Sequence, residues 1–259
     1  MTVSDALALA ERRLAAAGVD TPRVDAELLV AHVLGVSRTR LYADLTAEVE
    51  GLEPLLARRE TREPLAYVLG EWGFRRLTLK TDARALVPRP ETEVVVERAL
   101  ALLAGSEAPR VLDLGIGSGA IALALKDERP DAQVTGVDIS AAALALAREN
   151  AGALGLEIEL REGGIETAGE GWELVISNPP YVESLAGLQP ELGYEPKHAL
   201  LGRGLHEQIA EAARTRLLVL EVGDGQADGV ASVFEAAGYR DVRITLDLRG
   251  VARVVEGAR

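Results

Sequence analysis

The sequence predicts an α/β protein: a mostly parallel, Rossmann-like sheet with an antiparallel final strand, preceded by a small all-helical N-terminal domain. Three observations carry this expectation. From residue 110 onward, short apolar runs of strand length alternate with helical stretches, the pattern of parallel strands joined by helical crossovers and covered on both faces. The last two candidate strands, 242–247 and 251–256, are joined only by Asp247-Leu248-Arg249-Gly250, which is too short for a parallel crossover, so that pair is antiparallel. Up to about residue 63 the apolar periodicity is helical throughout.

Taken in order, Ser4-Asp5 reads as the cap of a first helix carrying Leu7, Ala10 and Leu14 and closed by Gly18. Thr21-Pro22 opens a second helix ending at Gly35, and Ser37 caps a third. Residues 52–62 form a further helix, stopped by Pro64. Over 67–81 the period changes: Gly70 and Gly73 punctuate it, and Arg76-Leu77-Thr78-Leu79-Lys80 alternates like a hairpin strand. A helix over 94–104 ends at Gly105, and Ser140 reads as the N-cap of the Ala-rich helix 141–154. The candidate strands are 110–115, 133–138, 156–161, 173–177, 216–222, 242–247 and 251–256. The expected division is a helical domain over 1–66, a hairpin linker over 67–85 and a sheet domain over 86–259. No internal repeat interrupts it.

At 259 residues the chain can build one sizeable core and a smaller one. It has no Cys, which excludes disulfides, thiolate metal ligands and a Cys nucleophile. His32 lies in an apolar helical run and reads as structural, whereas His198 and His206 lie in a polar connection and read as solvated. The three share no ligand spacing, so no metal site is expected. No apolar run is long enough to span a bilayer and the first residues lack a basic leader region, so a cytoplasmic location is expected. The net charge of −13 is unevenly spread: residues 1–85 hold 12 Lys and Arg against 13 Asp and Glu, residues 86–259 hold 16 against 28. So acidic a sheet domain repels a phosphate backbone, which argues against direct nucleic-acid binding and favours a monomer. Arg58, Arg59, Arg62, Arg75, Arg76 and Arg84 gather near the junction. They form either a mixed-charge solvated surface or a partner-docking face.

Two stretches carry chemistry. In the first, Arg110-Val111-Leu112-Asp113-Leu114 delivers the chain into Gly115-Ile116-Gly117-Ser118-Gly119, and a helix follows. Glycines let the backbone turn sharply and approach a ligand closely. Gly115, Gly117 and Ala120 also satisfy the loose dinucleotide fingerprint, so an NAD-binding domain stays open on pattern alone. Asp113 argues against it, because an acid there suits a cationic amino group such as that of S-adenosylmethionine better than a pyrophosphate. Ser118 lacks the frame of a nucleophile elbow. Asp138 ends the next strand, about 20–25 residues after the glycines, where α/β nucleotide sites grip a ribose diol.

The second stretch is Asn178-Pro179-Pro180-Tyr181, directly behind the strand-like Leu174-Val175-Ile176-Ser177. Proline has no backbone N–H. Two in a row, with the Asn178 oxygen, make a cluster of acceptors beside an aromatic ring. Such a turn suits a planar NH2 on an sp2 carbon: a carboxamide or the exocyclic amine of a base. Alone it would read as an ordinary Pro-rich turn; the nucleotide-type loop upstream gives it weight.

Pro88-Arg89-Pro90-Glu91-Thr92-Glu93, Asp113 to Gly119, Ser177 to Tyr181, Glu195-Pro196 and Glu221-Val222-Gly223 occur in this order. Together they resemble the release factor glutamine N5-methyltransferases, the PrmC/HemK family, over essentially the whole chain. The glycine loop and NPPY alone are shared by many amino methyltransferases, whereas the Pro88–Glu93 and Pro64–Gly70 stretches are more specific. The resemblance implies a class I S-adenosylmethionine-dependent methyltransferase sheet. It also implies methylation of the glutamine in the Gly-Gly-Gln motif of class I peptide chain release factors, docked by the helical domain. Carried over residue by residue, Gly115, Ile116, Gly117, Ser118 and Gly119, with Asp113, would hold the methionine part of the cofactor. Asp138 would hold the ribose, and Ile165 would stand near the adenine in place of a bulkier residue. Asn178 would touch cofactor and, with Pro179, Pro180 and Tyr181, the substrate glutamine; Asn178, Pro179 and Tyr181 would be catalytic. The chain departs from the family at Gly164, which replaces a usual acid near the adenine, in a shorter 182–207 connection, in the missing Gly-Gly before strand 216–222 and at Val251-Ala252. The alternatives are an N6-adenine DNA methyltransferase, against which the acidic sheet domain speaks, and a non-catalytic binding module on the same fold.

Overall fold

The computed structural model describes residues 1–184 and 186–259, in two compact units. The first comprises Met1–Glu71 with Leu188–Tyr194; the second comprises Trp72–Gly187 and Glu195–Arg259.

In the first unit, α1 (Val3–Ala16) is capped by Thr2, whose hydroxyl accepts from the Asp5 N–H at 3.2 Å. The cap therefore lies ahead of the expected Ser4-Asp5, because the Ser4 N–H is already bonded to the Leu45 carbonyl. α2 (Pro22–Leu34) opens on Thr21-Pro22 and ends in left-handed Gly35, as the spacing predicts. Ser37 leads only into a 3-10 turn, Arg40–Ala43. α3 (Leu52–Glu60) stops ahead of Pro64, and a short α4 (Leu65–Leu69) follows where the period change suggested none. Leu7, Ala10 and Leu14 pack on Leu29, Val30, Leu52 and Leu56, the i, i+3, i+7 stripe that the pattern predicts. His32 is exposed on α2, not structural as expected. Leu188–Tyr194 joins this unit through Glu191, which pairs with Arg59 at 2.9 Å and Arg62 at 2.7 Å, and through the Tyr194 hydroxyl on the Thr61 carbonyl. Arg59 also pairs with buried Asp25.

The second unit opens with the hairpin β1 (Glu71–Phe74) and β2 (Leu77–Lys80) and helix α5 (Glu93–Leu102). Then come β3 (Arg110–Leu114), α6 (Ala120–Glu128), β4 (Gln133–Asp138), α7 (Ala141–Leu154), β5 (Glu159–Glu162) and β6 (Trp172–Ser177). After α8 (Lys197–Leu200) and α9 (Leu205–Ala212) follow β7 (Thr215–Glu221), α10 (Ala227–Ala236), β8 (Arg240–Leu246) and β9 (Ala252–Ala258). The sheet order is β5-β4-β3-β6-β7-β9-β8, parallel through β7, with β9 antiparallel to both neighbours. β5 begins later than expected, since Leu156 and Ile158 pack on the core from the loop before it.

The central strands β3, β6 and β7 read as nearly unbroken apolar runs because both faces are covered, whereas the edge strands β5 and β8 are polar and more exposed. Val111, Leu174, Ile176, Leu217 and Val219 face α5, α6 and α7, while Leu112, Val175, Leu218 and Leu220 face α9 and α10. The chain runs outward from β3 through β4 to β5, then returns on the other side of β3 as β6. At such a reversal the loops after the two adjacent strands leave in opposite directions and open a crevice.

Of the six arginines near the junction, each is paired with a carboxylate of its own unit. Of the two readings offered for them, this arrangement is the mixed-charge surface. Among the described residues no helix is long and apolar enough to cross a membrane, and no cluster of His, Cys, Asp and Glu is placed to hold a metal ion.

Candidate active site

The crevice is a cavity of about 430 Å³ at the C-terminal ends of β3, β4 and β6. Its floor is the loop between β3 and α6. Gly115, Gly117 and Gly119 all have positive φ, which only glycine adopts without strain. The Gly115 and Ile116 N–H groups bond to the Val137 carbonyl, Gly117 donates to Asp138 at 3.0 Å, and Gly119 donates to the Ile116 carbonyl. Gly136 makes room for this packing, since a Cβ there would lie 2.0 Å from the Ile116 side chain. The N–H groups of Gly115, Ile116, Gly117 and Gly119 are thus consumed inside the protein.

Gly115, Ile116, Gly117, Ser118 and Asp138 line the cavity; Gly119 and Asp113 do not. Gly119 is the N-cap position of α6. Asp113, only 1% exposed, turns behind the loop, where one oxygen accepts from the Ala122 N–H at 3.0 Å and the other has no partner. Burial, and to a lesser degree the nearby Asp138 charge, push its carboxyl up to about 7, against the Ala122 hydrogen bond. The structure therefore does not bring Asp113 to the place expected for it beside a cofactor amino group.

Asp138 accepts from Gly117 and from the Ser140 N–H at 2.9 Å. Each carboxylate oxygen keeps a lone pair for a further donor, as a ribose diol requires. Beyond it, Ile139, 67% exposed, and Ile165 flank the cavity with Gly163, Gly164 and Glu166, an apolar slot for a flat base. Glu166 escaped sequence reading. Its carboxylate accepts from the Gly164 N–H at 2.7 Å, which lowers its pKa, so an acid is present at this end two residues after Gly164.

The opposite wall is the turn after β6. Asn178, Pro179 and Pro180 line the cavity, and the Asn178 amide NH2 donates to the Thr92 hydroxyl at 3.2 Å. Tyr181 does not line it: its ring is half-buried against Gly223, where a Cβ would come within 2.9 Å of Cδ2. Burial first, and then the Glu221 charge, push its hydroxyl up to about 12. Pro180 is approached as closely from behind, since a Cβ on Gly202 would lie 2.2 Å from the Pro180 carbonyl oxygen. Two of the motifs left without a role in sequence now have one. Glu195 accepts from the Val87 N–H and from Arg89 at 2.5 Å, holding the 87–89 segment along the cavity. Gly223 seats Tyr181. His198 lies exposed at the cavity wall, whereas His206, expected to be solvated, is buried with Nε2 against the Glu221 carbonyl at 2.8 Å. A polar neighbourhood in sequence did not foretell an inward-facing helix turn.

These residues fit a sulfonium nucleoside such as S-adenosylmethionine: an acid for the ribose, an apolar slot for the base, a self-satisfied glycine floor and acceptors at the reacting end.

Residues 5–70 match the PrmC N-terminal domain family and residues 94–193 the methyltransferase small domain family. The release factor glutamine methyltransferase of Rhodospirillum rubrum is 42% identical over 268 residues, covering 95% of this chain and 82% of its own length. That of Deinococcus radiodurans is 41% identical over 281 residues, covering 100% and 99%. Among solved structures, the hMettl16 catalytic domain in complex with MAT2A 3′UTR hairpin 1 is similar with a TM-score of 0.59 at 13% identity, covering 79% of this chain and 80% of that one. The T. thermophilus 16S rRNA methyltransferase RsmC, in complex with AdoMet and guanosine, has a TM-score of 0.52 at 17% identity, covering 73% and 49%. At such identities the likeness is one of fold.

Proposed function

The chain belongs to the release factor glutamine methyltransferase family, and from that premise we propose that it methylates the side-chain amide nitrogen (N5) of the glutamine in the Gly-Gly-Gln motif of class I peptide chain release factors, with S-adenosylmethionine as methyl donor. The observation that carries the chemistry is the acceptor turn: the Asn178 NH2 side is turned to Thr92, which leaves its oxygen for the cavity beside the Pro179 carbonyl.

Asp138 would hold the ribose hydroxyls, Ile139 and Ile165 would enclose the base, and the loop from Gly115 to Ser118 would hold the methionine part. The bound cofactor supplies an electrophilic methyl group on a positively charged sulfur. An amide nitrogen is a poor nucleophile because its lone pair is delocalised into the carbonyl. Accepting both of its N–H bonds, at Asn178 Oδ1 and the Pro179 carbonyl, draws electron density to nitrogen and fixes one face toward the methyl carbon. Pro180 holds the amide plane, and Tyr181 supports the turn from behind the cavity wall. The bound donor would supply the methyl group, its C–S electron pair staying on sulfur as the N–C bond formed, and the proton on nitrogen would pass to water. Positioning and electrostatics supply the rate enhancement.

Docking of the release factor is assigned to the helical region 1–66, and the protein is taken as a cytoplasmic monomer without direct nucleic-acid contact, readings supported by the sequence and by the charge of the sheet domain. The test is to incubate the protein with methyl-labelled S-adenosylmethionine and, in separate reactions, a class I release factor and adenine-containing duplex DNA. Label is expected on the release factor glutamine. Label on DNA and none on protein would overturn the reading in favour of an adenine methyltransferase.

A further inference from the structure

We propose that Thr92 and Glu221 are positioning residues: they hold the Asn178 amide so that its oxygen, and not its NH2, meets the substrate nitrogen. The proposal rests on the glutamine-transfer reading above.

The two ends of a carboxamide have almost the same shape, so packing alone does not choose between them. Flipped, Asn178 would aim donors at the donors of the substrate NH2, and binding would become repulsion. The Asn178 NH2 donates to the Thr92 hydroxyl at 3.2 Å. A hydroxyl both donates and accepts, so it fixes the flip only if its own hydrogen is committed elsewhere. Glu221, the last residue of β7, is fully buried within reach of the Thr92 side chain, yet among the described residues neither of its carboxyl oxygens has a hydrogen-bond partner. An ionised carboxylate only accepts. It draws the Thr92 hydrogen toward itself and leaves only lone pairs facing Asn178. This arrangement also accounts for a buried carboxyl that makes no ion pair and would otherwise only cost stability.

The relay has a built-in pH dependence. Thr92, Glu91 and Arg89 face Glu221 from the Pro88–Glu93 segment, Arg253 from β9 and Tyr181 from the turn after β6, while His206 meets only its backbone carbonyl. Burial raises the Glu221 carboxyl to about 7, with Thr92, Arg253 and Arg89 pulling down and Glu91 pushing up. Once protonated, Glu221 can donate to Thr92, the Thr92 hydrogen is free to turn to Asn178, and the amide orientation is no longer imposed.

The test uses the full-length protein, saturating S-adenosylmethionine and an intact class I release factor, with single-turnover rates from about pH 5.5 to 8.5 and calorimetric cofactor affinity. The wild-type rate should rise with pH through about 7. Thr92→Val should be slower at pH ~8 by about tenfold or more, a loss of ~1.4 kcal/mol or greater, with cofactor affinity nearly unchanged. Thr92→Ser should restore both the rate and the pH limb. Glu221→Gln should be slow and flat with pH, because its NH2 donates to Thr92 at every pH. Wild-type rates at pH ~8 in Thr92→Val or Glu221→Gln would overturn the relay, as would a loss confined to cofactor affinity. Should Glu221→Gln fail to fold, the Thr92 pair decides. If the wild-type protein labels no release factor, the functional reading itself fails; if it does and the variants match it, only the relay fails.

Discussion

Asn178 and Asp138 line one cavity, and the proposed function gives them different partners, so their loss should separate in kinetics. Asn178→Ala removes an acceptor whose contact strengthens as the substrate nitrogen becomes positive. Single-turnover transfer should fall to less than about a tenth of wild type, while cofactor affinity drops only modestly. A variant keeping more than that is incompatible with the role assigned to Asn178. Asp138→Ala should instead weaken cofactor binding by roughly 1.5–3 kcal/mol per charged hydrogen bond lost, with the rate recovering at saturating cofactor; unchanged affinity by calorimetry would make Asp138 a turn residue. Asp113 is read through stability. Its folded-state carboxyl titrates at about 7, above the ordinary value of about 3.9. Between the two the native state holds more protons than the unfolded chain, so stability falls as pH rises through that window and stays lower above it. Asp113→Asn, which cannot ionise, should raise Tm at pH ~8.5 and change it little near pH 4. A shift of equal size at both would remove the electrostatic explanation.

Elements matter here through the backbones they press against the acceptor turn. On Gly202 a Cβ would meet the Pro180 carbonyl oxygen at 2.2 Å, a backbone atom that cannot step aside. On Gly223 it would meet the Tyr181 ring and the Gln226 side chain at 2.9 Å, where side chains can give. Gly202→Ala should therefore slow transfer by about tenfold or more while cofactor binding survives, and Gly223→Ala should be the milder of the two. The reverse order in a kinetic comparison would mean that the turn is not held from behind in this way. Elements were also the level at which sequence served best. Strands buried on both faces announced themselves as apolar runs, Gly35 and Ser140 marked helix ends, and the short Asp247–Gly250 link set the direction of the last pair. Where reading slipped, a neighbour had taken the group the local rule relied on: the Ser4 N–H is bonded to Leu45, so the cap of α1 moved to Thr2.

For the whole molecule, a pocket that accepts one carboxamide cannot by itself single out a glutamine among the many on protein surfaces. Selectivity must come from remote contacts whose binding energy brings the Gly-Gly-Gln loop into place. The pairing of all six junction arginines removes the most obvious charged docking face. Deleting residues 1–66 should leave a product that binds S-adenosylmethionine, since every residue lining the cavity lies beyond the cut. Methylation of intact release factor should fall by at least about tenfold, or ~1.4 kcal/mol of useful binding. The cut also strips Glu191 and Tyr194 of Arg59, Arg62 and Thr61, so a free Gly-Gly-Gln peptide is the control. It should be an equally poor substrate for both forms, because the loss belongs to docking and not to the site. Equal activity of the two forms on intact release factor would show that the helical region does not dock it.

By itself the sequence determined whatever is local: the strands, the helix ends, the glycine turn and the acceptor turn, because period, chain stiffness and missing N–H groups act within a few residues. Asp138, Asn178 and the two prolines, read from the sequence, line the cavity, as does Ile165, which the family resemblance singled out; each lies at the end of a strand or in the loop that follows one. It could not tell that Asp113 faces backward or that Tyr181 stands behind the cavity wall, because one step along a turn decides which side of a sheet edge a side chain serves. Nor could it bring Thr92 to Asn178, or Glu195 to Val87 and Arg89, beside one cavity. Their proximity follows from the return of the chain across β3 to β6 and β7, which sets strand ends far apart in sequence side by side; only tertiary packing chooses which of them meet.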